Sequence, residues 1–249
     1  MEKDLAMSGK IRIGVVGFGA RGSTVAANAF RATGGLVETA ACVEVSDEKY
    51  EASCAASGMR PARPATIREM LAGERLDGVI ISTPNEFHLE NLLAFEGLKM
   101  PLLLEKPLDS SYEKICAVVE FAESYGGPIV VGHCMRYAPI LRRAKELLDG
   151  GAVGRVCSTQ FVQNCHYGNI GYHNWRRNKE KSGTWMIEKA THDLDVMFWL
   201  LGKVPEKVMA VSRLHAFGGD RPDTLRCSEC PERVTCPESF ANILDRWGV

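Results

Sequence analysis

Residues 11–22 read Ile11-Arg12-Ile13-Gly14-Val15-Val16-Gly17-Phe18-Gly19-Ala20-Arg21-Gly22. Ile11–Val16 is a run of strand formers, and a helical pattern follows from Arg21 to Phe30. The hexapeptide Gly17-Phe18-Gly19-Ala20-Arg21-Gly22 fits G-x-G-x-x-G, and it joins that strand to that helix. In this setting the first glycine permits the tight turn and the second lets backbone approach a pyrophosphate. The third allows close helix–strand packing, while the helix N-terminus offers N–H donors and a positive dipole end. A glycine-rich turn with no ligand is the alternative. A second apolar run, Val37–Val43, ends at Glu44, about the distance along the chain at which a carboxylate binds a ribose 2′-hydroxyl. That carboxylate repels a 2′-phosphate, and Val45 and Ser46 supply no cation to offset it. NAD(H) is therefore expected over NADP(H).

Working outward, the same rhythm continues. Gly78–Ser82, Leu102–Glu105 and Ile129–Gly132 read as strands; Tyr50–Ser57, Ile67–Ala72, Phe87–Leu98 and Ser111–Tyr125 read as helices. Alternation of this kind predicts the α/β class, a doubly wound parallel sheet with helices on both faces, over residues 8–138. After Tyr137 the pattern changes. Pro139–Leu148 is an amphipathic helix closed by Asp149-Gly150-Gly151, a C-cap signal. Val156–Gln163 reads as a strand, Asn164–Lys181 as a polar stretch, Thr184–Leu201 as a long helix stopped by Gly202, and Lys207–Leu214 as another strand. This predicts an α+β domain over 139–249, with too few strands for a complete covered sheet.

Composition removes several classes. Of 249 residues 45% are hydrophobic, and 30 Lys+Arg against 31 Asp+Glu leave a net charge of −1. That is too apolar and too nearly neutral for a disordered chain, and it lacks the basic excess of a nucleic-acid binder. Met1–Leu5 carries acids and no apolar core of a signal peptide, and no apolar run nears the roughly 18 residues of a membrane span. Nine cysteines, with Cys42, Cys116 and Cys157 set singly in apolar runs, read as reduced, buried thiols of a cytoplasmic protein. Cys227, Cys230 and Cys236 form C-x2-C-x5-C. Zinc or an iron–sulfur cluster needs a fourth ligand there, for which Cys165, His166 or His215 are candidates. Unpaired thiols are the default, and no metal is assigned.

Three further segments carry chemistry. Thr83-Pro84-Asn85 follows a strand and lies at the carboxyl edge, where doubly wound sheets bind ligands; Asn85 also suits a helix N-cap. His88 reads as a packing or hydrogen-bonding residue. Glu105-Lys106-Pro107 reaches the same edge, where desolvation lowers a lysine's pKa; a surface lysine before a loop proline is the alternative. On Thr184–Leu201, Met186, Ala190, Leu194, Met197 and Leu201 form one stripe, read as the core face. Glu188, His192, Asp195 and Trp199 form another, with Glu188 and His192 one turn apart. That spacing suits either a carboxylate that fixes a histidine's tautomer for acid/base work or a solvated helix face.

Taken in order, GFGARG, TPN, EKP and EKATHDLD resemble the Gfo/Idh/MocA family of NAD(P)-dependent sugar, polyol and inositol dehydrogenases, from about Lys10 to Gly202. The resemblance implies a Rossmann domain followed by an α+β domain with an open, largely antiparallel sheet. It makes Lys106 a catalytic and cofactor-contacting residue and His192 the acid/base that moves the hydroxyl proton. Glu188 stands where the family usually has Asp. The implied cofactor contacts are Gly17, Phe18, Gly19, Ala20, Arg21, Gly22, Glu44, Thr83, Pro84, Asn85, Glu105 and Lys106. Arg136, in the crossover segment Gly132–Tyr137, and Trp175 and Arg176, beside the cleft, complete that set. The implied reaction is hydride transfer between the nicotinamide and a carbon bearing a secondary hydroxyl of a sugar, polyol or cyclitol. Family members continue with further strands and form homo-oligomers, so the chain reads as C-terminally truncated. Two other readings stay open: a glycoside-cleaving relative that recycles NAD through transient oxidation, and a non-catalytic dinucleotide-binding or truncated protein.

Overall fold

The computed structural model describes residues 9–163, 175–213, 221–222 and 224–247. Five strands form one sheet: β1 (Ile11–Val16), β2 (Val37–Val43), β3 (Gly78–Ile81), β4 (Leu102–Leu104) and β5 (Ile129–Val131). All pairings are parallel, and the order is β2-β1-β3-β4-β5. Parallel neighbours need long crossovers, which put helices on both faces and make the strands apolar throughout. Side chains alternate accordingly. Ile13 and Val15 of β1 and Ile80 of β3 pack on one face with Ala26 of α1 (Ala20–Ala32) and Tyr50 and Cys54 of α2 (Asp47–Ser57). Val16, Val79 and Ile81 point to the other. There they meet Met70 of α3 (Ile67–Gly73), Leu92 of α4 (His88–Leu93), and Val118 and Phe121 of α5 (Tyr112–Ser124).

The strand order reverses around β1, which pairs with β2 on one side and β3 on the other. A crevice opens at such a switch point, beyond the carboxyl ends of the strands. Gly17 makes the turn there at φ 85°. A Cβ on Gly22 would stand 2.1 Å from the backbone oxygen of Gly17, so the loop and α1 close only without one. A Gly22→Ala substitution forces backbone apart and is expected to destabilise the chain by about 3 kcal/mol. A thermal melt should show this as a fall of roughly 6–12 °C; an unchanged midpoint would mean that the loop is not packed this way.

Helix boundaries depart modestly from expectation. Helix α2 starts at Asp47 because Ser46 caps it, accepting from the Lys49 N–H, with Asp47 and Glu48 in the first turn. The segment read as one helix from Phe87 to Leu98 is a 3₁₀ turn (Asn85–Phe87) and then the short α4; Gly97 and Lys99, both at positive φ, turn the chain toward β4. A further 3₁₀ turn, Cys134–Tyr137, leads into α6 (Pro139–Asp149), with Pro139 at its first position.

In the second half the structure shows helices α7 (Lys179–Ser182), α8 (Thr191–Leu201) and α9 (Phe240–Trp247). The strands expected at Val156–Gln163 and Lys207–Leu214 are not formed. Residues 156–163 and 207–213 are irregular and exposed, and Leu214 lies outside the described residues. A strand is held by its ladder, and neither segment has a paired neighbour among the described residues. The open sheet is therefore not seen among the described residues. Cysteine burial also needs correction: Cys42 is buried and Cys116 half-buried, but Cys157 is exposed. Among the described residues no helix is long and apolar enough to cross a membrane.

Candidate functional site

The fingerprint loop is built as a cradle. Gly19 caps α1 and has no side chain of its own to claim the N–H groups of the first turn. A Cβ on Gly19 would find nothing nearer than Glu44 Oε2 at 4.0 Å, so the loop faces open space with that carboxylate across it. The chemistry fits a dinucleotide: helix N–H donors for a pyrophosphate and a carboxylate for ribose hydroxyls. Phe18 turns its side chain into the core against Tyr50, leaving only backbone to line the loop. Ala20 is exposed at the helix start. Arg21 is tied to the third motif, its Nε and Nη2 donating to Glu105 Oε1 at 2.9 and 2.7 Å. Glu105 is itself buried.

The fold brings to the Glu44 backbone a cation that Val45 and Ser46 do not supply. Arg63 comes from the loop before α3, and its Nε and Nη2 donate to the Glu44 backbone oxygen at 2.9 and 2.7 Å. Nothing in its own segment, Arg60-Pro61-Ala62-Arg63, marks it; only the path of the loop does.

Behind the loop, His88 ties two segments together. Its ring nitrogens lie 3.0 Å from the Thr83 oxygen and 2.8 Å from the Pro107 oxygen, and it is buried. Thr83 Oγ1 accepts from Asn91, and Pro84 precedes the 3₁₀ turn. Asn85 is not a helix cap. Its buried Nδ2 donates to Glu188 Oε2 at 2.8 Å and to the Ser182 oxygen at 3.1 Å, joining the crevice to the second half of the chain.

Glu188 is the hub. Buried, it accepts from Arg176 Nε at 3.1 Å, lies 3.7 Å from Lys189 Nζ, and faces Lys106. Lys106 Nζ donates to the Glu188 backbone oxygen at 2.8 Å and reaches Oε1 at 3.4 Å. Arg176 lies over the Trp175 ring, 4.7 Å from its centroid. Lys106, Asn85, Arg176 and Glu188, read from four separate stretches of sequence, thus meet in one place. Lys189 was missed, although it sits inside EKATHDLD.

The helix carrying Glu188 and His192 is not regular. Met186–Ala190 is a π-turn, and α8 starts only at Thr191. A 3.6-residue count fails across a π-turn, which accounts for two corrections. Met186 and Leu194, assigned to the core, are exposed, whereas Glu188 and Val196 are buried. Glu188 also does not orient His192. Its carboxylate is taken by Asn85 and the three cations, and His192 Nδ1 is buried without a partner among the described residues. His192 instead meets His133 edge to face, with ring centroids 6.1 Å apart. His133 Nδ1 lies 3.8 Å from Asp195, which Arg136 clamps with both Nε and Nη2. Arg136 so fastens the crossover segment to α8.

Electrostatics follow from this packing. Burial pushes the Lys106 pKa below the ordinary lysine range against the opposing pull of Glu188. Burial works to raise the Glu188 carboxyl, but Lys106, Asn85, Lys189 and Arg176 together hold it below the usual carboxylate range. His192 is lowered to about 4 by burial first and then by Lys106, His133, Lys189 and Arg21. At neutral pH it is an uncharged imidazole able to take a proton.

Cys227, Cys230 and Cys236 are half-buried and free, with Arg221 Nη1 3.0 Å from the Cys230 sulfur. Among the described residues no group of three or more His, Cys, Asp or Glu side chains is placed to hold a metal. Cys165, His166 and His215 lie outside those residues.

Comparison with known proteins agrees with the geometry. The family described as "Oxidoreductase family, NAD-binding Rossmann fold" matches residues 11–133, and the "GFO/IDH/MocA C-terminal domain" matches residues 141–227. Inositol 2-dehydrogenase 4 of Saccharopolyspora erythraea is 30% identical over 213 residues, covering 83% of this chain and 57% of that protein. The 2,7-anhydro-N-acetylneuraminate hydratase of Escherichia coli is 28% identical over 161 residues, covering 62% and 41%. The matches thus span roughly half of these relatives' own length. Among solved structures, the WlbA dehydrogenase of Bordetella pertussis, in complex with NADH and UDP-GlcNAcA, shares the fold at a TM-score of 0.63. It is 24% identical, over 77% of this chain and 58% of that one.

Proposed function

Since the chain belongs to the GFO/IDH/MocA oxidoreductase family, we propose that it transfers a hydride between NAD(H) and a carbon bearing a secondary hydroxyl of a sugar, polyol or cyclitol. One observation carries this reading. Lys106, at the carboxyl edge of the sheet, donates at 2.8 Å to the backbone oxygen of Glu188, four residues before His192 in the second half, while its neighbour Glu105 accepts from Arg21 of the dinucleotide cradle. The names of relatives support the substrate class, one being an inositol 2-dehydrogenase. Residues 8–138 would be the dinucleotide domain and 139–249 the substrate domain.

When bound, the nicotinamide supplies the hydride acceptor or donor. The protein does the rest. The first turn of α1 holds the pyrophosphate, and Glu44 takes the ribose hydroxyls. His192, neutral and half-buried, takes the proton of the substrate hydroxyl. Lys106 donates a hydrogen bond to the same oxygen as it gains negative charge. Glu188 positions the lysine, and Asn85 and Arg176 hold Glu188. Arg136 and Trp175 keep the crossover segment and the neighbouring 3₁₀ turn in place around the cleft.

The direct test is titration of the purified chain with NADH, followed by nicotinamide fluorescence. Saturable binding is expected. Glu44→Ala should weaken it about tenfold, the value of one hydrogen-bonding carboxylate. A wild-type chain that leaves the fluorescence unchanged would sink the cofactor assignment. A second reading is favoured by the 28% identity to a hydratase: transient oxidation followed by elimination or hydration, with the cofactor regenerated. Stoichiometric NADH release from an alcohol substrate supports the dehydrogenase; turnover without net reduction of NAD supports the alternative.

A further inference from the structure

The stretch from Met59 to Thr66 runs back along β2. Ala62 N–H donates to the Ala40 oxygen at 3.1 Å, and Cys42 N–H to the Ala62 oxygen at 2.8 Å, an isolated parallel bridge centred on Ala41. That bridge delivers Arg63 to the carboxyl end of β2, where two of its nitrogens hold the Glu44 backbone oxygen. Its Nη1 donates to Asp47 Oδ1 at 2.6 Å, and its guanidinium lies 4.9 Å from the centre of the Tyr50 ring. Tyr50 is fixed in turn by its hydroxyl, which donates to the Pro61 oxygen at 2.8 Å. The arginine is thus rigidly placed.

It is not fully used. A guanidinium carries five N–H donors in a planar fork, and the bonds to Glu44 and Asp47 engage one on each nitrogen. One donor on each terminal nitrogen has no partner among the described residues. The ion pair with Asp47 is weak, because that carboxylate is 92% exposed. A phosphate group, bound bidentately, is the stronger partner for such a fork.

Building on the dinucleotide reading above, we propose that Arg63 sets cofactor selectivity: it accepts the 2′-phosphate of NADPH, making NADPH a second cofactor, while Glu44 keeps NADH ahead. Glu44 and Arg63 then oppose each other across one ribose.

Fluorescence titrations of the full chain with NADH and NADPH test this in the wild type, Arg63→Gln, Arg63→Lys and Glu44→Ala. In the wild type NADPH should bind within about tenfold of NADH. Arg63→Gln should weaken NADPH by about tenfold or more, and NADH by less than about threefold. Arg63→Lys should keep most of the NADPH affinity, since the charge remains. Glu44→Ala should bring NADPH level with NADH or ahead of it. The proposal is overturned if Arg63→Gln leaves the ratio of the two affinities unchanged, either by touching neither or by lowering both equally. Equal loss would mark Arg63 as a support for the Glu44 backbone alone. A wild-type chain that binds NADH but rejects NADPH outright also overturns it and leaves the dinucleotide reading standing. A chain that binds neither cofactor overturns both.

Discussion

Lys106→Met is expected to lower turnover with a productive alcohol substrate by about a thousandfold, while NADH binding stays within a few-fold of wild type. The reason lies in what the side chain touches. Its ammonium donates to the Glu188 backbone oxygen at 2.8 Å and stands 3.4 Å from the Glu188 carboxylate, inside a buried cluster that also contains Asn85 and Arg176. Methionine keeps the apolar stem packed and removes only the charge. Glu188 keeps Asn85, Arg176 and Lys189 as partners, so the substitution does not strand a buried carboxylate, and the fold should survive. The wild-type rate should also fall at high pH, with an apparent pKa below the ordinary lysine range, because burial makes this ammonium easier to deprotonate. That alkaline limb should vanish in Lys106→Met. Steady-state kinetics across pH, alongside an NADH titration, separate the outcomes; full turnover in the variant would remove Lys106 from the mechanism.

Which parts of this site the amino-acid sequence reveals depends on the range of the forces involved. The parallel sheet is legible because buried strands are short, continuous apolar runs between glycine- and proline-rich turns. Ile11–Val16 and Val37–Val43 are observed within those same bounds. Lys106 is legible because the strand before it fixes its place at the sheet edge. The geometry of Glu188 and His192 is not. Their spacing of four implies contact only on a regular helix, and the π-turn at Met186–Ala190 breaks that premise. Glu188 then turns to the cations that tertiary packing gathers around it. Arg63 is hidden for a related reason, since a loop with no periodic pattern carries it to Glu44 through a single β-bridge. The strands expected after Val156 fail differently. β-propensity describes a residue's fit to a sheet surface, and residues 156–163 have no paired neighbour among the described ones.

His192→Asn should cost about a hundredfold to a thousandfold in turnover and should abolish the acid limb of the pH profile. In the wild type the imidazole must be neutral to accept the hydroxyl proton, and its pKa of about 4 keeps it so well below neutrality. Alcohol oxidation should therefore hold level from pH 7 to about 5 and decline only as His192 protonates near 4, whereas an unperturbed histidine would impose that decline near 6.5. The same shift predicts a stability effect of definite sign. Between about 6.5 and 4 the unfolded chain carries a proton on His192 that the folded chain does not. Stability linked to this residue is then complete above 6.5 and is lost progressively as the pH falls. Asparagine has no such proton, so urea melts of His192→Asn should lose less stability between pH 7 and 4.5 than those of the wild type. His133, the imidazole that faces His192 with Asp195 behind it, is the internal control. If it were the true base, His192→Asn would keep both its rate and its acid limb, and His133→Asn would lose them.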